Sequence, residues 1–135
     1  MARHFVVTAD GGARSNPVGP AAYGAVVYEN NEVVKELGAS IGVASNNVAE
    51  YSGLIAGLKA VNEIDPGATI LVKMDSKLVI EQMSGRWKVK HPNMQKLVKE
   101  AFTCHDPNLV SYQWIPREEN SHADSILNDV LDSGM

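Results

Sequence analysis

The hydrophobic residues of this chain change their spacing at Ser45, and the change restricts the folds that it can adopt. After Ser45 they recur three and four residues apart, which predicts an amphipathic helix over residues 46–63. A Pro-Gly pair ends that unit, and a compact apolar run at residues 69–74 is typical of a strand. A long helix before a strand indicates a crossover connection, so we expect this strand to lie parallel to an earlier one.

Three strands are predicted before that helix. Residues 4–9 form the first, which ends at Asp10, and residues 11–20 form a loop rich in Gly, Pro, Asn and Ser. Residues 21–28 and 32–41 form the second and third strands. The short Asn-bearing turn between these two indicates an antiparallel hairpin.

The second half of the chain alternates helices with a strand. Helical spacing predicts helices at residues 76–84, 93–104 and 122–132, and an apolar run predicts a last strand at residues 109–115. The expected fold class is therefore α/β, with a mixed rather than purely parallel sheet and helices on its faces.

The composition fits one globular domain over residues 1–135. Hydrophobic residues make up 44% of the chain and charged residues 21%, which argues against disorder. A single cysteine, Cys104, excludes an internal disulfide, and no Cys/His cluster has zinc-site spacing. With no signal-peptide pattern and no apolar run long enough to cross a membrane, we expect a cytoplasmic protein.

The net charge of −4 argues against binding nucleic acid through the charge of the whole protein. Any such binding must depend on a local basic patch and on metal ions.

Four acidic residues stand at the ends of predicted elements. Asp10 and Asp75 end strands that we expect to be parallel neighbours, and Glu50 and Asp124 begin helices. Ligands of open α/β sheets gather at the carboxyl ends of parallel strands, so the four acids are expected to converge. Gathered carboxylates repel one another unless cations are present, and hard divalent ions suit their oxygen atoms. The pattern therefore predicts a metal site.

Each acid also has an ordinary local explanation. A carboxylate before glycine is a common turn signal, and polar residues at helix starts form caps and capping boxes. The sequence leaves these alternatives open: a turn at Asp10-Gly11, capping boxes for Asn47 with Glu50 and Ser121 with Asp124, and a helix cap at Asp75.

Four segments of the chain resemble motifs of type 1 ribonuclease H, in the order and approximate spacing of that family. They are Thr-Ala-Asp-Gly-Gly-Ala-Arg-Ser-Asn-Pro at residues 8–17, Ser-Asn-Asn-Val-Ala-Glu-Tyr at 45–51, Met-Asp-Ser at 74–76 and Trp-Ile-Pro-Arg-Glu-Glu-Asn-Ser-His-Ala-Asp at 114–124. The resemblance covers nearly the whole chain. It implies a five-stranded mixed sheet in the order 3-2-1-4-5, flanked by helices. It also implies an endonuclease that cuts the RNA strand of RNA–DNA hybrids and leaves 5′-phosphate and 3′-hydroxyl ends.

The same resemblance assigns catalytic roles. Asp10, Glu50, Asp75 and Asp124 match the acidic quartet that holds two Mg²⁺ ions, with Mn²⁺ as the alternative metal. One ion would be shared by Asp10 and Asp124, and the other by Asp10, Glu50 and Asp75. The best-known bacterial members carry a loop histidine near the last strand. This chain resembles the compact subgroup of archaea and actinobacteria, in which Arg117 takes that role. In that subgroup the domain can also be the N-terminal part of a longer protein.

Substrate contacts are expected at two places. The first surrounds the metal site and consists of Gly11, Asn16, Ser45, Asn46, Asn47 and Ser76. The second is a basic patch that stands where the best-known bacterial members have a longer basic protrusion, and it consists of Arg86, Trp87, Lys88, Lys90 and His91. Both have simpler interpretations, because asparagine favours turns and caps, and the patch could be a solvated loop with Trp87 packed beneath it.

Two other functions stay open at this stage. One is a non-catalytic module that binds hybrid or RNA on the same fold, and the other is a related nuclease that acts on RNA or DNA duplexes. A complete set of four acids favours catalysis, since a protein that only binds phosphates does not need them. We expect the RNA–DNA hybrid as the partner, no membrane association, and a monomer.

Overall fold

The structure is a computed structural model that describes residues 3–15 and 17–133. The strands are β1 (His4–Ala13), β2 (Gly19–Glu29), β3 (Glu32–Ala44), β4 (Thr69–Met74) and β5 (Val110–Trp114). The helices are α1 (Asn46–Ile64), α2 (Lys77–Met83), α3 (Pro92–Thr103) and α4 (Ser121–Ser133), and short 3₁₀ turns at Pro107–Leu109 and Arg117–Glu119 flank β5. The described strands form one sheet in the order β3-β2-β1-β4-β5. The predicted five-stranded α/β fold is confirmed.

The sheet is mixed. β1 pairs in antiparallel fashion with β2 and in parallel fashion with β4, and β4 is parallel to β5. The predicted hairpin between β2 and β3 is also confirmed. Its turn residues Asn30 and Asn31 have φ angles of 54° and 65°, which are typical of the left-handed turns that match the strand twist.

One boundary prediction is wrong. β1 does not end at Asp10 but continues to Ala13, which pairs with Ala21 of β2. The predicted loop over residues 11–20 is correspondingly shorter. Glycines 11 and 12 resemble strand breakers in the sequence, but here β2 supplies the hydrogen bonds that extend the strand, and glycine permits a close approach by another element.

Helices cover the two faces of the sheet. α1 lies over Ala9 and Tyr23, whereas α4 lies against Gly24, where an added Cβ would come within 2.3 Å of the Ala123 carbonyl oxygen. Neighbouring strand residues point to opposite faces, so α1 and α4 lie on opposite sides. The main core lies under α1, α2 and α3, and its largest fully buried side chains include Phe5, Tyr51, Leu54, Leu58 and Ile70. No helix in the described ranges is long and apolar enough to cross a lipid bilayer.

Candidate active site

Asp10 lies on β1 at the point where the strand changes partners. Its neighbour Ala9 is the last β1 residue paired with β4, whereas Asp10 itself pairs only with Gly24 of β2. Asp10 is 8% exposed, and its Oδ1 accepts a hydrogen bond of 2.9 Å from the Gly11 N–H. The carboxylate therefore stands at the carboxyl end of the β1–β4 pair, where α/β sheets bind ligands.

Glu50 reaches the same place from α1. The cap of this helix is Ser45, whose Oγ accepts from the Val48 N–H at 3.3 Å, so a capping box of Asn47 with Glu50 is wrong. The start of α1 lies directly against β1: a Cβ added to Gly11 would come within 2.2 Å of the Ala49 carbonyl carbon. Only glycine fits there, and this contact brings Glu50 beside Asp10.

Asp75 follows β4 and is held by several groups. The residue that caps α2 is Ser76, so a helix cap at Asp75 is wrong. Asp75 Oδ1 accepts from the Asn120 side-chain amide at 2.7 Å, and Asp75 Oδ2 lies 3.9 Å from Arg117 Nε. The backbone carbonyl of Asp75 accepts from the Trp114 indole N–H at 3.2 Å. Its orientation is therefore set by three neighbouring residues.

Asp124 comes from the opposite face of the sheet, in the first turn of α4. A capping box would need Ser121 to stand just before the helix, but α4 already begins at Ser121. The Asp124 N–H donates instead to the Asn120 carbonyl at 3.1 Å, so a capping box of Ser121 with Asp124 is wrong. The Asp124 carboxyl group lies near enough to Asp10 to raise the pKa of Asp10, and both residues line the same pocket. The alternative of a turn at Asp10-Gly11 is wrong as well, because both residues are part of β1.

All four acids line a single open pocket, together with Arg117. Burial and the charges of Asp75, Asp124 and Glu50 raise the pKa of Asp10 to about 8. Burial also raises the pKa of Glu50 to about 7; a hydrogen bond from Ser76 opposes this rise, the charge of Asp75 adds to it, and Arg117 opposes it. The fold thus crowds carboxylates that repel one another, an arrangement that positive charge would relieve.

The donor set suits a hard cation that the protein encloses only in part. In residues 3–15 and 17–133, no group of three or more His, Cys, Asp or Glu side chains is arranged compactly enough to hold a metal ion by itself. The pocket is open and its carboxylates offer oxygen ligands only. Mg²⁺ is commonly bound by one or two carboxylates together with water and substrate phosphate, so these residues fit it.

The small polar residues predicted to contact substrate have different positions. Asn46 lines the pocket, and its Oδ1 accepts from the Ala13 N–H at 2.7 Å, tying β1 to α1. Ser76 and Gly11 also line the pocket. Ser45 is occupied as the cap of α1, and Asn47 is exposed. Asn16 lies outside the described residues, so its role stays a prediction.

The basic patch lies apart from the acids. The residues of Arg86–His91 are absent from the lining of the acidic pocket. Arg86 forms a two-pronged ion pair with Glu81, at 2.7 and 2.8 Å, and this hydrogen-bonded pair holds the pKa of Glu81 below its usual value. Trp87 is 45% exposed, so the interpretation with Trp87 packed beneath the loop is wrong.

Arg14 and Lys77 of the pocket lining, and Asn120 beside Asp75, were not singled out from the sequence. Arg14 and Lys77 line the pocket, and Lys77 Nζ lies 5.6 Å from the centre of the Trp114 ring. The Asn120 side-chain amide donates a hydrogen bond to Asp75 Oδ1. Single residues of these types carry no distinctive signal, although Arg14 and Asn120 both fall within segments that resemble family motifs.

The chain is similar in sequence to known proteins over most of its length. A family model described as "Reverse transcriptase-like" matches residues 8–130. The bifunctional protein Rv2228c of Mycobacterium tuberculosis is 52% identical over 95% of this chain, which spans only 35% of that protein's length. Ribonuclease HI of Halobacterium salinarum is 37% identical over 91% of this chain and 62% of its own length.

Solved structures extend the comparison. The N-terminal RNase H domain of Rv2228c has a TM-score of 0.91 and 48% identity, covering 98% of this chain and 96% of that chain. LC11-RNase H1, solved in complex with an RNA/DNA hybrid, has a TM-score of 0.86 and 33% identity, covering 95% of this chain and 96% of its own. These likenesses include the strands and helices that carry the acidic pocket.

Proposed function

Because the chain belongs to the ribonuclease H family, we propose that it is an endonuclease that hydrolyses the RNA strand of RNA–DNA hybrids. The reaction would use divalent metal ions and leave 5′-phosphate and 3′-hydroxyl ends. The observation that carries this proposal is the convergence of Asp10, Glu50, Asp75 and Asp124 on one open pocket. The hybrid-bound structure of LC11-RNase H1, which matches almost end to end, supports the choice of substrate.

The metal would be Mg²⁺, with Mn²⁺ as the alternative, held in two positions. Asp10 with Asp124 would provide one set of ligands, and Asp10 with Glu50 and Asp75 the other. Bound divalent ions supply the positive charge that activates water and stabilises the leaving oxygen in phosphodiester hydrolysis. Asp10 would be common to both sets, and burial together with the other three acids raises its pKa.

The protein residues would prepare the site before any substrate arrives. β1, β4, α1 and α4 fix the carboxylates, so little reorganisation is needed when charge develops on the phosphate. Arg117 has an 85% exposed side chain that reaches the pocket from above Asp75. We propose that it contacts the cut phosphate or helps the product to leave.

Substrate selection would depend on the pocket rim. Short polar side chains can reach the 2′-hydroxyl groups that mark an RNA strand in a wide minor groove. Asn46 and Ser76, which line the pocket, are the proposed contacts, although Ser76 also caps α2. Arg14 and Lys77 are cations on the same rim, and Arg14 is paired with Asp132. Both side chains would hold substrate phosphates when a hybrid binds.

The test is a cleavage assay with an end-labelled RNA–DNA hybrid, in the presence and absence of Mg²⁺. We expect cleavage of the RNA strand that needs the metal, and products that a ligase can rejoin, because each cut would leave a 5′-phosphate next to a 3′-hydroxyl. DNA and RNA duplexes of the same sequence are the controls and should stay intact. Hybrid binding without cleavage would support the non-catalytic alternative, and cleavage of another duplex would identify a different nuclease.

A further inference from the structure

Asn120 is a buried polar residue beneath the acidic pocket. It is only 2% exposed, and its side-chain Nδ2 donates two hydrogen bonds, one to the Ala9 carbonyl at 2.9 Å and one to Asp75 Oδ1 at 2.7 Å. Both partners are pure acceptors when Asp75 is ionised, so the orientation of the amide follows from the chemistry. The amide connects the two strands that carry Asp10 and Asp75.

The backbone of Asn120 makes two further connections within the site. Its N–H donates to the Arg117 carbonyl at 2.9 Å, and its carbonyl accepts from the Asp124 N–H at 3.1 Å. One residue therefore touches Asp75, the residue before Asp10, and the backbones of both Arg117 and Asp124. Its Oδ1 is buried with no hydrogen-bond partner among the described residues, so the side chain is held through its Nδ2 group.

These contacts divide the two oxygens of Asp75 between different tasks. Oδ1 is taken up by the Asn120 amide, while Oδ2 lies 3.9 Å from the exposed Arg117 side chain. An oxygen that already accepts a strong hydrogen bond inside the protein is oriented by it, as outer-shell partners orient metal ligands.

We infer that Asn120 is a positioning residue for the metal site, which holds Asp75 so that Oδ2 is presented to a divalent cation. This inference depends on the proposed function. It predicts that loss of the amide weakens metal binding and turnover, while contacts between the protein and the hybrid stay intact.

The test replaces Asn120 with alanine and measures Mg²⁺ binding by calorimetry. We expect the dissociation constant for Mg²⁺ to rise about 10-fold, the low end of what loss of an outer-shell partner causes. In steady-state kinetics over a range of hybrid concentrations, kcat should fall at low Mg²⁺ and recover in part at high Mg²⁺, with KM for the hybrid unchanged. An unchanged Mg²⁺ affinity in a folded Asn120→Ala protein would overturn the inference.

The matched control is Asn62→Ala. Asn62 lies near the end of α1 and its Oδ1 is 3.1 Å from His105 Nδ1, so this variant also loses a side-chain amide that contacts another side chain. It should be destabilised without any change in Mg²⁺ affinity. A 10-fold weakening in both variants would show a general loss of stability and refute a specific role for Asn120.

A measurement on the unaltered protein covers the case in which Asn120→Ala does not fold. In an NMR titration with Mg²⁺, the side-chain amide signals of Asn120 should shift with the midpoint found by calorimetry, and those of Asn62 should not. Asn120 side-chain amide signals that do not shift at saturating Mg²⁺ would contradict the inference. If the wild-type protein binds Mg²⁺ but cuts no hybrid, the proposed function fails by itself.

Discussion

The acidic pocket and the basic loop at residues 85–91 are both densely charged, but the structure holds them in opposite ways. In the pocket, four elements bring like charges together, and burial with mutual repulsion raises the pKa values of Asp10 and Glu50. In the loop, Arg86 is neutralised by Glu81, and Lys88 and Lys90 are exposed to solvent.

The acidic pocket therefore requires a positively charged ligand, whereas the basic loop is stable without one. Crowded, partly buried carboxylates are unfavourable until a cation arrives. A solvated lysine and a surface ion pair are acceptable as they are, and each contributes little to stability. The comparison predicts that changes in the pocket have large effects on chemistry and that changes in the loop have small effects on binding.

The largest effect is expected from Asp10→Asn. The substitution keeps the size of the side chain but removes the carboxylate that would contribute to both metal positions. Cleavage should fall by about 10³-fold or more, since metal stabilisation of a phosphoryl transition state is worth several kcal/mol. Binding of the hybrid, measured in Ca²⁺, should remain. Asp129→Asn, at an exposed position of α4, is the control, and wild-type turnover by Asp10→Asn would refute the assignment.

Next in size is Gly11→Ala, which tests how the pocket is built. The new methyl group would come within 2.2 Å of the Ala49 backbone, so α1 and its Glu50 would have to move away from β1. We expect a loss of about 2–4 kcal/mol in the free energy of unfolding, together with a loss of cleavage. Chemical denaturation measures the first quantity.

Gly67→Ala is the control for that substitution, because its nearest contact would be 3.5 Å from Asp65 Oδ1. It should change the unfolding free energy by much less. Equal effects at the two glycines would mean that close packing of α1 on β1 is not what forms the pocket.

A smaller effect is expected on the stability of the metal-free protein, which should depend on pH. The raised pKa values of Asp10 and Glu50, about 8 and about 7, exceed those of unfolded carboxyl groups. Their contribution to stability is therefore fully present below about pH 4 and is lost as the pH rises through 7 and 8. Asp10→Asn should raise the melting temperature at pH 9 by about 6–10 °C, corresponding to about 2 kcal/mol, and change it little at pH 4.

Differential scanning calorimetry in the presence of a chelator measures this pH dependence. Saturating Mg²⁺ should then stabilise the wild-type protein at pH 9 more than the Asp10→Asn variant, because only the wild type has the full set of ligands. If the two proteins keep the same difference in melting temperature from pH 4 to pH 9, the crowding of the carboxylates is not significant.

A feature of the fold or of the site could be predicted from the sequence when several separate segments indicated it. The β2–β3 hairpin, the parallel pairing of β1 with β4 and the four acids were predictable because several segments, each with its own period or motif, point to the same arrangement. The strand order was implied by the resemblance to type 1 ribonuclease H. The extension of β1 past Asp10 was not predictable, since the pairing partner Ala21 is distant in sequence and local glycines suggest a break.

The capping alternatives show the same limit at the level of single residues. Several neighbouring polar residues could each cap the same helix, and the sequence does not distinguish them. The backbone geometry shows that Ser45 and Ser76 are the caps, which leaves Glu50 and Asp75 to face the pocket. Asn120 and Lys77 were missed for a related reason. Their roles come from neighbours that are more than 35 residues away in sequence, and no periodicity records such contacts.

The smallest expected effect separates the cations of the two regions directly. Each phosphate contact contributes about 0.9 to the slope of log affinity against log salt concentration. Lys77 lines the pocket, so Lys77→Ala should reduce the slope by about 0.9 and also lower kcat. The double variant Lys88→Ala with Lys90→Ala should flatten the slope by up to about 1.8 but leave kcat unchanged, because these residues are outside the pocket.

Fluorescence anisotropy of a labelled hybrid in Ca²⁺, at four or more salt concentrations, measures both slopes. Lys35→Ala, on β3 near the hairpin turn, controls for the general change in net charge. An unchanged slope in the double variant would remove the basic loop from the substrate interface, leaving the cations of the pocket rim as the phosphate contacts. A lowered kcat in the double variant would instead show that the loop and the pocket act on the hybrid as one surface, and the distinction between the two regions would fail.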